Sequence, residues 1–154
     1  MKTIRINHLV VMLILLAGFS QQTLGQSPDS RICNCFSDAV SSDFMQGTKA
    51  LYGRIGLFVS RNTELTPNAS QTVKFIVPKL PLKPSCQAQY SLYIVDETNR
   101  VMHEQYYTLP EISYTFSDCT KTYTVQIGAT GKSAGGRDGN CSRLILFKVK
   151  PVCR

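Results

Sequence analysis

The sequence predicts an all-β fold, an antiparallel β-sandwich of about seven strands held by disulfides. Three observations lead there. Apolar and polar residues alternate with period two in several short stretches. Turn-forming residues separate those stretches, and no window sustains a helical period. Six cysteines follow an N-terminal segment built like an export signal, so sulfur bridges are available to a chain with no tryptophan.

Residues 1–25 have the three parts of a secretory signal. Lys2 and Arg5 supply the positive start, residues 9–19 are an apolar run, and Thr23-Leu24-Gly25 offers a small residue for cleavage before Gln26. Eleven apolar residues in a helix reach about 16 Å, half of a hydrocarbon core about 30 Å thick. The expectation is therefore a cleaved signal and no membrane span in the mature chain. Phe19 follows Leu16-Ala17-Gly18 where a lipoprotein signal would need cysteine. Residues 26–48 form a lead-in carrying Cys33-Asn34-Cys35, and residues 49–154 form the sandwich domain.

Within the lead-in, residues 37–46 are the one candidate for a helical turn or two, with Phe36, Val40 and Phe44 spaced by four. Ile55, Leu57 and Val59 then belong to an early strand begun near Lys49. Thr66-Pro67-Asn68 breaks the chain before a second strand, in which Val73, Phe75 and Val77 alternate with Thr72 and Lys74. Pro78, Pro81 and Pro84 end it, because proline fixes φ and removes a donor. Ala88, Tyr90, Leu92 and Ile94 form the apolar side of a third strand, with Gln87, Gln89 and Ser91 opposite. Asp96-Glu97-Thr98-Asn99 is a tight-turn tetrad leading into a strand over residues 101–107. Ile112, Tyr114 and Phe116 alternate in the next. Tyr123, Val125, Ile127 and Ala129 do so in the penultimate strand. In the last, Ile145, Phe147 and Val149 line one side and Leu144 and Leu146 the other, so that strand is expected to be covered on both faces.

Formal charge is +7, but the basic residues are scattered and form no stripe, which argues against nucleic acid as a partner. With only two histidines, and C-x-C rather than C-x2-C, the cysteines fit a tetrahedral zinc set poorly. All six, Cys33, Cys35, Cys86, Cys119, Cys141 and Cys153, follow the signal and read as disulfides of an oxidising compartment. If the last two strands form a hairpin centred near Gly136, Cys119 and Cys153 fall opposite one another, where a bridge is geometrically reasonable. Each long-range bridge would contribute about 3 to 4 kcal/mol by constraining the unfolded chain.

Two stretches carry a family resemblance. Residues 123–129 (Tyr123-Thr124-Val125-Gln126-Ile127-Gly128-Ala129), followed by a final strand, look like the end of immunoglobulin-like and PKD-type modules of secreted bacterial proteins. Residues 86–96, from Cys86 to Asp96, resemble the central strand of Cys-containing examples. The resemblance implies an immunoglobulin-like sandwich and export, and assigns no functional residue. The tryptophan and Gly-Asp turn usual in PKD modules are missing. In an immunoglobulin-like strand order the third strand lies beside the sixth, which implies a Cys86–Cys141 bridge. Cys33 and Cys35 would then bridge each other or replace a partner. The early Cys33-Asn34-Cys35 also resembles netrin-like domains, including tissue inhibitors of metalloproteinases. That resemblance implies a barrel whose mature N-terminus is Cys33.

Motifs for catalysis are weak. Gly131-Lys132-Ser133 lacks the glycine five residues earlier that a phosphate loop needs. His103 has no nucleophile or orienting group in a recognisable pattern, and Asp138-Gly139-Asn140 matches a calcium loop only in part. No catalytic residue, metal or cofactor is expected. The glycine-rich connection offers a candidate recognition loop, with Lys132, Ser133, Arg137, Asp138 and Asn140. Tyr93, Tyr106 and Tyr107 are candidate aromatic contacts. Asn68-Ala69-Ser70 and Asn140-Cys141-Ser142 fit the N-glycosylation pattern. The functional expectation is a secreted, non-catalytic binding module. It would recognise an extracellular protein or glycan through end loops of a rigid sandwich, with periplasmic or cell-surface association in a bacterium. The alternatives are a netrin-like inhibitor and a structural matrix or assembly subunit.

Overall fold

A computed structural model describes residues 35–36, 40–133 and 142–153. The signal segment, Cys33 and the loop residues Arg137, Asp138, Asn140 and Cys141 lie outside them. The described chain has a short 3-10 helix, Ser42–Gly47, and nine strands. These are β1 (Lys49–Tyr52), β2 (Ile55–Phe58), β3 (Glu64–Leu65), β4 (Gln71–Ile76), β5 (Cys86–Asp96), β6 (Val101–Tyr107), β7 (Glu111–Phe116), β8 (Tyr123–Ser133) and β9 (Arg143–Val149). They form two open sheets, in the orders β2-β1-β4-β7 and β3-β9-β8-β5-β6. The closed barrel of the netrin-like alternative is not what these strands build.

The expected early strand is a hairpin. Tyr52 pairs with Ile55 across a two-residue turn. Gly53 takes φ +57° at its first central position, where primed turns favour glycine. β3, too short to show a period, pairs parallel with β9. The turn tetrad is realised: Asn99 takes φ 62°, and the Asp96 N–H donates to the Arg100 carbonyl at 3.0 Å.

Inward residues of the two sheets meet in one core. Val73, Phe75, Ile112 and Phe116 come from the smaller sheet, and Leu92, Ile94, Val125, Ile127 and Phe147 from the larger. The rings of Phe75 and Phe147 pack across the sandwich with centroids 5.6 Å apart. Burying each such side chain contributes about 1.5–3 kcal/mol. The lead-in joins this core, since Phe36 and Met45 are both buried.

Two bridges close the described chain. β8 and β9 pair with Tyr123 facing Val149 and Ala129 facing Arg143, the register expected of a hairpin centred near Gly136. The Cys119–Cys153 disulfide forms as that register requires. The second bridge corrects the expected Cys86–Cys141 pairing and takes the other course open to the lead-in, in which one of its cysteines replaces a partner: Cys86 is bonded to Cys35. β8 continues past Ala129 to Ser133, which faces Cys86. The lead-in crosses at Gly131, where a β-carbon would come 2.8 Å from that of Cys35. The missing side chain leaves Cys35 room beside Cys86, and the Lys83 N–H donates to the Cys35 carbonyl at 2.9 Å.

On the outer face of the smaller sheet several side chains pair with one another. Thr72 and Thr115 face one another with hydroxyls 2.8 Å apart. Lys74 reaches the Glu111 carboxylate at 3.1 Å, and the Lys49 ammonium lies over the Phe58 ring.

Candidate functional site

Side chains on a strand alternate between faces. In β5 this sends Tyr90, Leu92 and Ile94 to the core and Ser91 and Tyr93 outward. The register then assembles rows across the outer face of the larger sheet. Leu144, Gly128, Ser91 and Tyr106 form one row, and Leu146, Gln126, Tyr93 and Glu104 the next. Tyr93 and Tyr106 are therefore diagonal neighbours, about 7–8 Å apart along the backbone. Between them lies a shallow hollow of about 210 Å³, lined by Ser91, Leu92, Tyr93, Glu104, Tyr106 and Gln126.

Gly128, opposite Ser91 in the register, leaves room for the Ser91 side chain. Gly128 is buried in mid-strand, and a β-carbon there would collide with the Ser91 hydroxyl and come 3.1 Å from a Leu144 methyl. The walls are large: Tyr106 is 61% exposed. Among the described residues, Ser91, Tyr93, Glu104, Tyr106 and Gln126 make no side-chain hydrogen bond to another protein group. Their donors and acceptors all remain available to a ligand.

Beyond β9 lies a second hollow of about 400 Å³, lined by Asp43, Gln46, Arg61, Met45 and the Leu144–Leu146 stretch. Leu144 and Leu146 form the ridge between the hollows and are 47% and 38% exposed. This corrects the expectation that β9 is covered on both faces. Within the described chain only its inner side meets the other sheet.

The structure divides the predicted site residues. Tyr93 and Tyr106 share the outer hollow. Tyr107 faces the opposite way; its hydroxyl lies 3.1 Å from His103 Nε2 and donates to Gln105 at 3.4 Å. Burial pushes that phenol above its ordinary pKa. Lys132 is exposed on the same outer face as Gln126, but six residues along β8, about 20 Å away. Gly131-Lys132-Ser133 is extended strand, unlike a phosphate loop. His103 packs its ring on Tyr114 at 5.0 Å, turned away from Glu104. Among the described residues no three His, Cys, Asp or Glu side chains converge on a metal position.

Asp96 and Glu97 serve the turn. Asp96 Oδ1 accepts from the Thr98 hydroxyl at 2.6 Å and from the backbone N–H groups of Thr98 and Arg100, while Lys121 stands 3.5 Å from Oδ2. The Thr98 hydroxyl above all, then these N–H groups and Lys121, hold the Asp96 carboxyl at about 2, against the opposing effect of burial. Glu97 accepts from the Thr122 N–H at 3.0 Å and ties this turn to the start of β8.

Sequence reasoning missed Ser91, Glu104, Gln126, Gly128 and Arg61 as site residues. The first four sit at outward positions of correctly predicted strands, so only the strand order was needed to group them. The chain matches no protein-family description, no curated protein and no solved structure.

Proposed function

We propose that this chain is an exported, non-catalytic binding module of immunoglobulin-like architecture, and that it binds an extracellular protein or glycan on a stiff β-scaffold. Two features support the architecture. The order β1-β4-β7 against β9-β8-β5-β6 follows the immunoglobulin pattern of a first, second and fifth strand packed on the rest. At the start of β8 the Tyr123 hydroxyl donates to the Asp118 carbonyl, five residues upstream, at 3.3 Å. This is the arrangement of the tyrosine corner of such sandwiches. Support for export comes from the two disulfides, which suit an oxidising compartment. Among the described residues no helix is long and apolar enough to cross a membrane.

The observation that carries the binding reading is the outer hollow, where five hydrogen-bonding side chains, two of them tyrosines, remain unspent. All five line one concavity of about 210 Å³. The test is direct binding of the oxidised mature chain to immobilised oligosaccharides and extracellular matrix proteins. Saturable binding that Tyr93→Ala/Tyr106→Ala abolishes, with an unchanged circular-dichroism spectrum, is expected. Binding to neither class, or turnover of a bound compound, overturns the reading.

A further inference from the structure

We infer that the ligand of the outer face is an oligosaccharide lying across the strands, with one part in the Tyr93–Tyr106 hollow and the next over Leu144 and Leu146 toward Arg61. This rests on the binding reading above and names its ligand class. Four facts carry it.

The first is the chemistry of the hollow. A sugar ring presents apolar C–H faces and a fringe of hydroxyls, each both donor and acceptor. Tyr93 and Tyr106 supply ring surface at low entropic cost. Ser91 and Gln126 can donate and accept, and Glu104 accepts only. All five have unspent hydrogen-bonding groups. The second is shape: Ser91, Tyr93, Glu104, Tyr106 and Gln126 line one shallow concavity of about 210 Å³, with Tyr106 standing 61% exposed at its side.

The third is the continuity of the band. Leu146 is the direct cross-strand partner of Gln126, and Leu144 of Gly128. The leucines therefore adjoin the first hollow and also line the second, with Asp43, Gln46 and Arg61. From β6 to β9 this spans three strand spacings, about 14 Å. A single sugar cannot cover that length, and a short chain can. The fourth is charge. The band holds Arg61 against Asp43 and Glu104, with no cluster of one sign. With no basic cluster, the band suits a neutral ligand better than a polyanion such as nucleic acid.

The experiment uses the oxidised mature chain and a panel of cello-, chito-, xylo- and manno-oligosaccharides of two to six units. Amide chemical shifts and affinities are measured for each. The expected result is that one series binds and perturbs Ser91, Tyr93, Tyr106 and Gln126 at every length. Resonances of Leu144, Leu146 and Arg61 respond only to the longer members. Tyr106→Ala weakens all members about tenfold. Arg61→Ala weakens only the longer ones, about threefold. The inference is overturned if no series binds, if binding is indifferent to Tyr106→Ala, or if affinity does not grow with length. Failure of the whole panel while a matrix protein still binds through Tyr93 and Tyr106 removes the glycan and leaves the binding reading standing. Failure with both removes both.

Discussion

The two outer faces of this sandwich are built from similar residues and treat them differently. On the smaller sheet several side chains engage one another: Thr72 with Thr115, Lys74 with Glu111, and Lys49 over Phe58. On the larger sheet Ser91, Tyr93, Glu104, Tyr106 and Gln126 gather around a hollow with no protein partner among the described residues. Leu144 and Leu146 stand exposed beside them. What separates them is how far the polar groups are spent, and a function is sought where they are not.

The sharpest way to break this comparison is to ask what each side of β9 contributes. Phe147 points inward against Phe75, and Leu146 points outward. Phe147→Ala is expected to cost about 3–5 kcal/mol of unfolding free energy, from lost transfer and the cavity left behind. Leu146→Ala should cost about 0.5 kcal/mol. Denaturant titration of the two variants decides it. Equal losses would mean that Leu146 is structural and that the exposed ridge is not available to a ligand.

Gly128 offers the next test, because it links the hollow to the fold. Gly128→Ala is expected to destabilise by about 1–3 kcal/mol, since the new methyl collides with the Ser91 hydroxyl. Adding Ser91→Ala should recover most of that loss, a coupling that a double-mutant cycle reads directly. Additive losses would place the strain elsewhere, against Leu144 or the backbone.

Acid unfolding probes the carboxylates that the turns hold, with a smaller effect. Asp96 has its pKa depressed to about 2, first by the Thr98 hydroxyl. Asp118 is also depressed, first by the Thr120 hydroxyl. A depressed carboxyl contributes stability above its unfolded-state pKa and loses it as pH falls through the folded one. Stability should therefore be flat above about pH 5 and decline steadily toward pH 2. Asp96→Asn should flatten that decline. Melting temperatures between pH 2 and pH 7 provide the check. An unchanged decline would show that the Thr98 and Lys121 contacts do not hold the Asp96 carboxylate in the fold.

Most strands were legible because each buries one face, and that leaves a period of two in the sequence. β5, β7 and β8 show it plainly, and the core residues follow from it. Other elements left weaker traces. The β1–β2 hairpin read as one strand because its two-residue turn, Gly53-Arg54, is too short to interrupt the apolar pattern. β3 is two residues long and has no period to detect. Cys119–Cys153 was legible because a hairpin register relates residues by arithmetic. Cys35–Cys86 was not, since it depends on how closely the lead-in can approach Gly131. Tyr93, Tyr106 and Tyr107 looked equivalent in the sequence, and pairing across β5 and β6 sent two outward and one inward.

The sequence by itself determined the β class, most of the strands, the turn at Asp96 and one of the two described bridges. Each depends on residues close in the chain or related by a simple hairpin. The tertiary structure alone decided the order of strands within the sheets, and with it which outward side chains become neighbours. Alternation puts Ser91 and Gln126 on the outward faces of their strands. It contains no information about who stands beside whom, because that depends on contacts between strands distant in sequence. The hollow on the larger sheet is a product of that order.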